Sequence, residues 1–375
     1  MVLFDHLTAA EQQALQALAG DPDCYGILRS RTEPRLTVKA VSRDTALLLL
    51  TLQTPSLLPR YALAALGESF DSVIGRMILD GILEIESNGT MLSGPAAREL
   101  VFDERNSAPP QRPIAALSQR AIEYAAQLET TDAAALSSRL YMYNRIPAST
   151  RWRRVLSDLA AVETYLGIRG DNVSRHLENS WSRLDSDSNT SGWIAWQSTR
   201  QTHAHAVPIV YKLYISPSCD EVRAAFPTVA RTVAQSRAFH LKVGNDAYGI
   251  LRPDKIVAYF RELADLETTA TILLEKLDGC SPHGVPFTAE IGGDGLLSWG
   301  IDPPADERSV PWLARESWRS RICNRLATAL VLAKTAGEAV SSITRFAMER
   351  LSFEGIDTKT WVPIDLREWQ AAAGA

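Results

Sequence analysis

Two short segments concentrate the residues best suited to chemistry. In "FHLKV", residues 239–243, His240 and Lys242 stand two apart, so on an extended chain they share one face. In "LRPDKIVAYF", residues 251–260, Arg252, Asp254 and Lys255 surround a proline and then run into an apolar stretch that carries Tyr259. Further on, "ARESWRSRICNRLA" opens a helix with Arg315, Glu316, Arg319 and Arg321, of which at most two can face inward. If the first two segments pair as neighbouring strands, these charges converge at one end of a sheet. Asp254 and Glu290 can balance some of the cations, and the surplus suits an anionic ligand such as a phosphoryl group. Structural salt bridges at a sheet edge are the competing reading.

Other catalytic patterns are missing. There is no GxGxxG after a strand, no GxxxxGK[ST], no GxSxG and no HExxH. His203 and His205 in "THAHA" share a face if extended, but no third ligand accompanies them, so no metal or other cofactor is expected. Cys24, Cys219, Cys280 and Cys323 lie far apart, form no CxxC and read as reduced thiols.

The elements that must position the charges follow from periodicity. "IVYKLYI" at 209–215, "FHLKV" and "DKIVAYF" read as strands, with helices at about 219–236 and 263–277 between and after them. "VPFTAEI" and "LLSWGI" around "GGDG" read as a hairpin, and two helices between about 316 and 351 close the chain. The fold class is α+β: a helical, winged-helix-like N-terminal part, then a mixed, mainly antiparallel sheet flanked by helices. The wing is the alternation "ILEIE", the turn "SNG" and the return "TMLSG" after a helix that ends near Gly81. Its glutamates argue against DNA and for docking of a peptide along a strand edge.

Three regions are expected: 1–105, helical and winged-helix-like, a possible peptide-docking domain; 114–195, helical and rich in arginine and aromatics; and 196–375, the α+β catalytic domain. "ERNSAPPQRP" at 104–113 is a linker. In the middle region, "RLYMYNRIPASTRWRR" at 139–154 is the most basic stretch, either a solvated surface over buried aromatics or a groove for a phosphorylated peptide. At 375 residues and a net charge of −5 the chain has room for several cores and no general attraction for nucleic acid or an anionic membrane. The start lacks a secretory signal, and the longest apolar run, "ALLLLTL" at 46–52, falls short of the ~20 residues of a span. A cytoplasmic protein is expected.

In order, "AFHLKVG", "LRPDKIVAYF", a long helix, "VPFTAEIGGDGLLSWGIDPP" and "ESWRSRICNRLA" resemble the Hop-type family named after a plant-pathogen type III effector. The resemblance covers 209–330. It departs at Pro253, where the family has a second arginine, at Lys255, where a small residue is usual, and at Trp318 and Arg319 in place of Phe-Gly. It implies a place in class V lanthipeptide or thioamitide biosynthesis. There a separate kinase phosphorylates Ser and Thr of a precursor peptide, and the Hop-like partner eliminates phosphate to leave dehydroalanine or dehydrobutyrine. Carried over by position, Lys242, Arg252, Asp254 and Arg319 or Arg321 match the charged positions. Lys242 is then the base, with its charged form disfavoured by Arg252 and Lys255. Arg252 and Arg321 clamp phosphate, Lys255 adds a point charge, Asp254 orients Arg252, and His240 or Tyr259 serves the leaving group or the enolate. A stand-alone lanthionine cyclase and a non-catalytic leader-peptide scaffold stay open.

Overall fold

Period-two alternation builds the central sheet. In a computed structural model of the chain, residues 2–3, 9–14, 24–29, 38–67, 70–102, 112–169, 173, 177, 180–184, 192–201, 209–303 and 316–366 are described. The strands are β1 (Val2–Leu3), β2 (Gly26–Arg29), β3 (Val38–Val41), β4 (Ile85–Ser87), β5 (Thr90–Leu92), β6 (Trp181–Arg183), β7 (Trp193–Ser198), β8 (Tyr211–Ile215), β9 (His240–Gly244), β10 (Ile256–Phe260), β11 (Ala289–Ile291), β12 (Leu297–Ile301), β13 (Ile356–Asp357) and β14 (Val362–Pro363). The helices used below are α1 (Arg43–Thr51), α2 (Arg60–Leu66), α3 (Phe70–Leu79), α4 (Pro113–Gln127), α5 (Ala133–Tyr141), α6 (Val222–Gln235), α7 (Leu263–Lys276), α8 (Trp318–Thr335) and α9 (Val340–Ser352).

Seven strands form one sheet in the order β11-β12-β8-β10-β9-β7-β6, every pair antiparallel. Leu213, Ile215, Ile256, Ala258, Phe260, Leu241 and Val243 are all fully buried on one face, together with α6 and α7. Burying each of the larger of these side chains stabilises the fold by roughly 1.5–3 kcal/mol. The other face carries the intervening residues, and register lines them up. Lys212, Tyr259 and His240 lie across β8, β10 and β9 in one row, and Tyr214, Val257 and Lys242 make the next. Helix α8 covers this second face so closely that a Cβ on Gly300 would sit 2.6 Å from Trp318 Cδ1, which leaves glycine as the residue that fits.

The N-terminal part has its own small core, with Leu48, Ala62, Ile74, Met77, Ile78, Leu83 and Ala97. Helices α1, α2 and α3 precede the β4–β5 hairpin, as expected of the wing, and Asn88 and Gly89 at its turn take the positive φ values a two-residue hairpin needs. The three-stranded sheet β1-β2-β3 was not expected; strands of two to four residues are too short to show a period. Buried ion pairs tie this part to the rest: Arg350 grips Asp80 bidentately at 2.6 and 2.8 Å, and Arg98 meets Glu349 at 2.6 Å. The expected division at 195/196 falls inside β7, because β6 and β7 complete the sheet. Among the described residues no helix is long and apolar enough to cross a membrane. The histidines 203 and 205 and most of the expected linker lie outside the described residues.

Candidate active site

Three separate stretches converge on the α8-covered face of the sheet. Strand β9 supplies Lys242 and His240, the turn before β10 supplies Arg252 and Asp254, and α8 supplies Arg319. Asp254 is fully enclosed. Arg252 grips it through Nε at 2.5 Å and Nη2 at 2.9 Å, and Arg319 Nη1 lies 2.8 Å from its Oδ2, an ion pair whose angle falls outside hydrogen-bond geometry. Burial alone would raise the Asp254 carboxyl, but the two guanidinium groups outweigh it and hold the group well below the usual carboxylate range.

Arg319 is 1% exposed and fully committed. Its Nε donates to Pro286 O at 3.2 Å, its Nη2 donates to Tyr141 O at 2.8 Å, and its guanidinium stacks 4.4 Å from the Tyr141 ring. It therefore organises the site from behind. Arg252 spends Nε and Nη2 on Asp254, while its guanidinium lies 4.6 Å from the Trp193 ring. Its remaining Nη1 makes no hydrogen bond among the described residues and is the edge available to an anion.

Lys242 is placed differently. Its Nζ sits over aromatic faces, 4.2 Å from the Trp193 centroid and 5.3 Å from that of Tyr259, and no carboxylate pairs with it among the described residues. Burial, then the like charge of Lys212, push its pKa down to about 8; Asp254 works the other way, and Arg252 adds a smaller push down. Burial and the neighbouring Lys242 and Lys212 hold His240 down at about 4, so it is a neutral imidazole near pH 7, edge-on to Tyr259 at 4.9 Å. Burial and Asp302 raise Tyr259 well above the ordinary phenol value, so it keeps its proton. Lys212 meets Asp302 at 2.6 Å. Four cations thus share the face with two carboxylates, and the surplus matches a dianion.

Two expected members lie elsewhere. Lys255 is fully buried; its Nζ donates to Pro217 O at 2.9 Å and to His283 Nδ1 at 2.7 Å, since His283 Nε2 gives its proton to Asn144 O at 2.6 Å. These acceptors at the end of β8 and in the 282–284 loop take up the amine before it can join the cluster. Arg321 sits two positions beyond Arg319, and at 100° per residue that rotation of about 200° turns it to the opposite side of α8. There it faces Glu316 at 4.0 Å with Arg325 and Glu354 nearby. Glu290 is also remote from the cations, accepting from Ile114 N at 3.0 Å.

Sequence reasoning missed Tyr141, Trp193, Lys212, Tyr214 and Asp302. Lys212 had a signal, a charge inside the otherwise apolar "IVYKLYI", and Tyr141 lay in the arginine- and aromatic-rich stretch. Trp193 had none. Two surface pockets lie apart from this face: one is lined by Cys219, Asp220 and His283, the other by Arg112, Glu290 and Trp361, and neither includes Lys242.

No family model and no curated protein matches the chain. Solved structures resemble it loosely. The effector protein from Pseudomonas syringae pv. tomato strain DC3000 is 12% identical with a TM-score of 0.42, covering 66% of this chain and 97% of that one. The effector from P. syringae pv. syringae strain 61 is 15% identical, TM-score 0.36, covering 65% and 96%. The type III effector and phosphothreonine lyase OspF from Shigella flexneri is 10% identical, TM-score 0.29, covering 35% and 77%. Likenesses this loose carry no argument about activity, which must come from the residues.

Proposed function

We propose that the chain is a lyase that eliminates phosphate from phosphoserine or phosphothreonine in a precursor peptide, leaving dehydroalanine or dehydrobutyrine. The observation that carries this reading is Lys242: an amine with a pKa near 8 and no carboxylate partner among the described residues, beside an arginine with an unspent edge. The sequence resemblance over 209–330 supports it independently.

In the proposed reaction neutral Lys242 Nζ takes the proton from Cα of the phosphorylated residue. The C–H electron pair becomes the Cα=Cβ bond, the Cβ–O bond breaks, and its electrons leave with the phosphate oxygen. The proton is held as the Lys242 ammonium and passes to the departing phosphate, which balances the step and returns Lys242 to its neutral form. Arg252 Nη1 binds the phosphoryl oxygens, and the Tyr259 hydroxyl donates to the carbonyl oxygen on which charge gathers. Neutral His240 is a poor acid, so of the two candidates Tyr259 takes the donor role. A contact of this kind contributes on the order of 2–4 kcal/mol to the transition state. Arg319 and Asp254 orient Arg252, and Lys255 and Arg321 take no part. The phosphorylated core would come from a separate Ser/Thr peptide kinase, with the leader of the same peptide held elsewhere on the chain.

The test is incubation with a phosphoserine-containing peptide. Release of inorganic phosphate together with a thiol-trappable alkene is expected. Phosphate staying on the peptide sinks the reading; ring closure on a pre-dehydrated peptide would establish a cyclase, and binding without either reaction a scaffold.

A further inference from the structure

A second site lies at the β11 edge of the sheet. It is a pocket lined by Arg112, Thr288, Glu290, Trp299, Lys359 and Trp361, among others. Two of these residues hold buried polar atoms without a hydrogen-bond partner among the described residues: the Trp361 indole N–H, a donor, and Glu290 Oε1, an acceptor. Leaving such groups unmet costs roughly 1–3 kcal/mol each. They do not satisfy each other, and Glu290's other oxygen is already used by Ile114 N.

Backbone geometry marks the same place. Trp361 is 1% exposed and held at φ +61, and Phe287, whose ring packs on it edge-on at 5.2 Å, is held at φ +63. Bulky residues in the left-handed region are strained, and such strain gathers at binding sites.

We propose that this pocket binds a peptide-backbone amide of an extended chain. An amide is the group that supplies both missing complements at once, a carbonyl to accept from Trp361 and an N–H to donate to Glu290. The pocket walls point to its source: Ala289 and Glu290 belong to β11, which among the described residues pairs with β12 alone and so offers an edge along which a peptide can run. The inference rests on the peptide reading above for the substrate to which that backbone belongs. The segment 286–288 joins the two sites, since Pro286 O and Phe287 O accept from Arg319 and Trp318.

The test uses the full chain labelled with ¹⁵N-tryptophan, whose nine indole N–H signals are read by NMR, with Trp361→Phe assigning one of them. Titration with N-acetylalanine N-methylamide should move the Trp361 signal saturably and leave the Trp193 signal in place. Glu290→Ala should weaken that binding at least about tenfold, the loss of one hydrogen bond to a charged group. Should Trp361→Phe fail to fold, Glu290→Ala still identifies the signal, as the one that stops responding. No movement with the diamide, or an equal response to propionamide or to sodium acetate, overturns the proposal in favour of a water-filled, carboxamide or anion pocket. Inorganic phosphate added to the same sample probes the Lys242 site through Trp193, so each reading can fail without the other.

Discussion

Lys242 and Lys255 hold amines pushed to about the same pKa, near 8, in opposite surroundings. Lys255 is fully enclosed and its shift comes from burial; its amine is tied to Pro217 O and His283 Nδ1, and through His283 to Asn144. Lys242 is half-buried, is pushed further by Lys212 and Arg252, and rests on the faces of two aromatic rings. A depressed pKa therefore does not mark a base by itself. What separates the two is whether the nitrogen's hydrogen bonds are already spent inside the fold.

The largest expected effect separates them on rate. Lys242→Met should lower phosphate release by about a thousandfold, the usual range for a lost general base, while the melting temperature stays level or rises because a half-buried cation with no carboxylate partner among the described residues has been removed. Phosphate-release kinetics and a thermal melt check both. An unchanged rate would leave Lys242 no better a base than Lys255.

Next comes the ion-pair anchor of the site. Asp254→Asn leaves Arg319 buried without its counter-charge and should cost about 3 kcal/mol in urea unfolding, more than any loss at exposed charges. A cost under about 1 kcal/mol would mean that Arg319 is held well enough by Tyr141 O and Pro286 O alone.

Lys255→Met is the mirror image of the first variant. It strands His283 Nδ1 and Pro217 O, so stability should fall by about 2 kcal/mol while the rate per folded molecule stays within a few-fold of the parent. A rate loss matching that of Lys242→Met would overturn the distinction between the two lysines.

The smallest effect is the pH profile. A base is active when neutral, and the neutral fraction of Lys242 grows as pH rises, so kcat/KM should climb about tenfold per unit below pH 8 and level off above it. His240, already neutral, adds no limb near neutrality. Lys255 titrates in the same window, so the decisive comparison is the residual activity of Lys242→Met, which should be flat across it. A surviving limb in that variant would assign the titration elsewhere.

Much of the sheet was legible because its signals are local. Alternation in 239–243 and 255–260 placed His240 with Lys242 and marked both segments as strands, which β9 and β10 are. The helix after β10 and the hairpin at "GGDG" followed from amphipathic spacing and turn residues. The partners around Lys242 were not legible in the same way: Trp193, Lys212 and Tyr141 come from β7, β8 and α5, and a neighbour across a sheet leaves no mark in the spacing of either strand. Trp193 is opposite Gly244 only because β7 pairs with β9.

The chain's own order of residues determined which segments extend, which coil and which charges each face can present, since those depend on bonds between neighbours and on periods of 2 and 3.6 residues. It also limited the arginines of α8 to a choice, because Arg319 and Arg321 cannot look the same way. Only the tertiary structure decided that Arg319 turns inward to Asp254, that Lys255 is claimed by His283, and that Lys242 rests on the rings of Trp193 and Tyr259. Each of those outcomes depends on which carbonyls, rings and carboxylates arrive from remote parts of the chain, and burial makes the contacts they form hard to exchange.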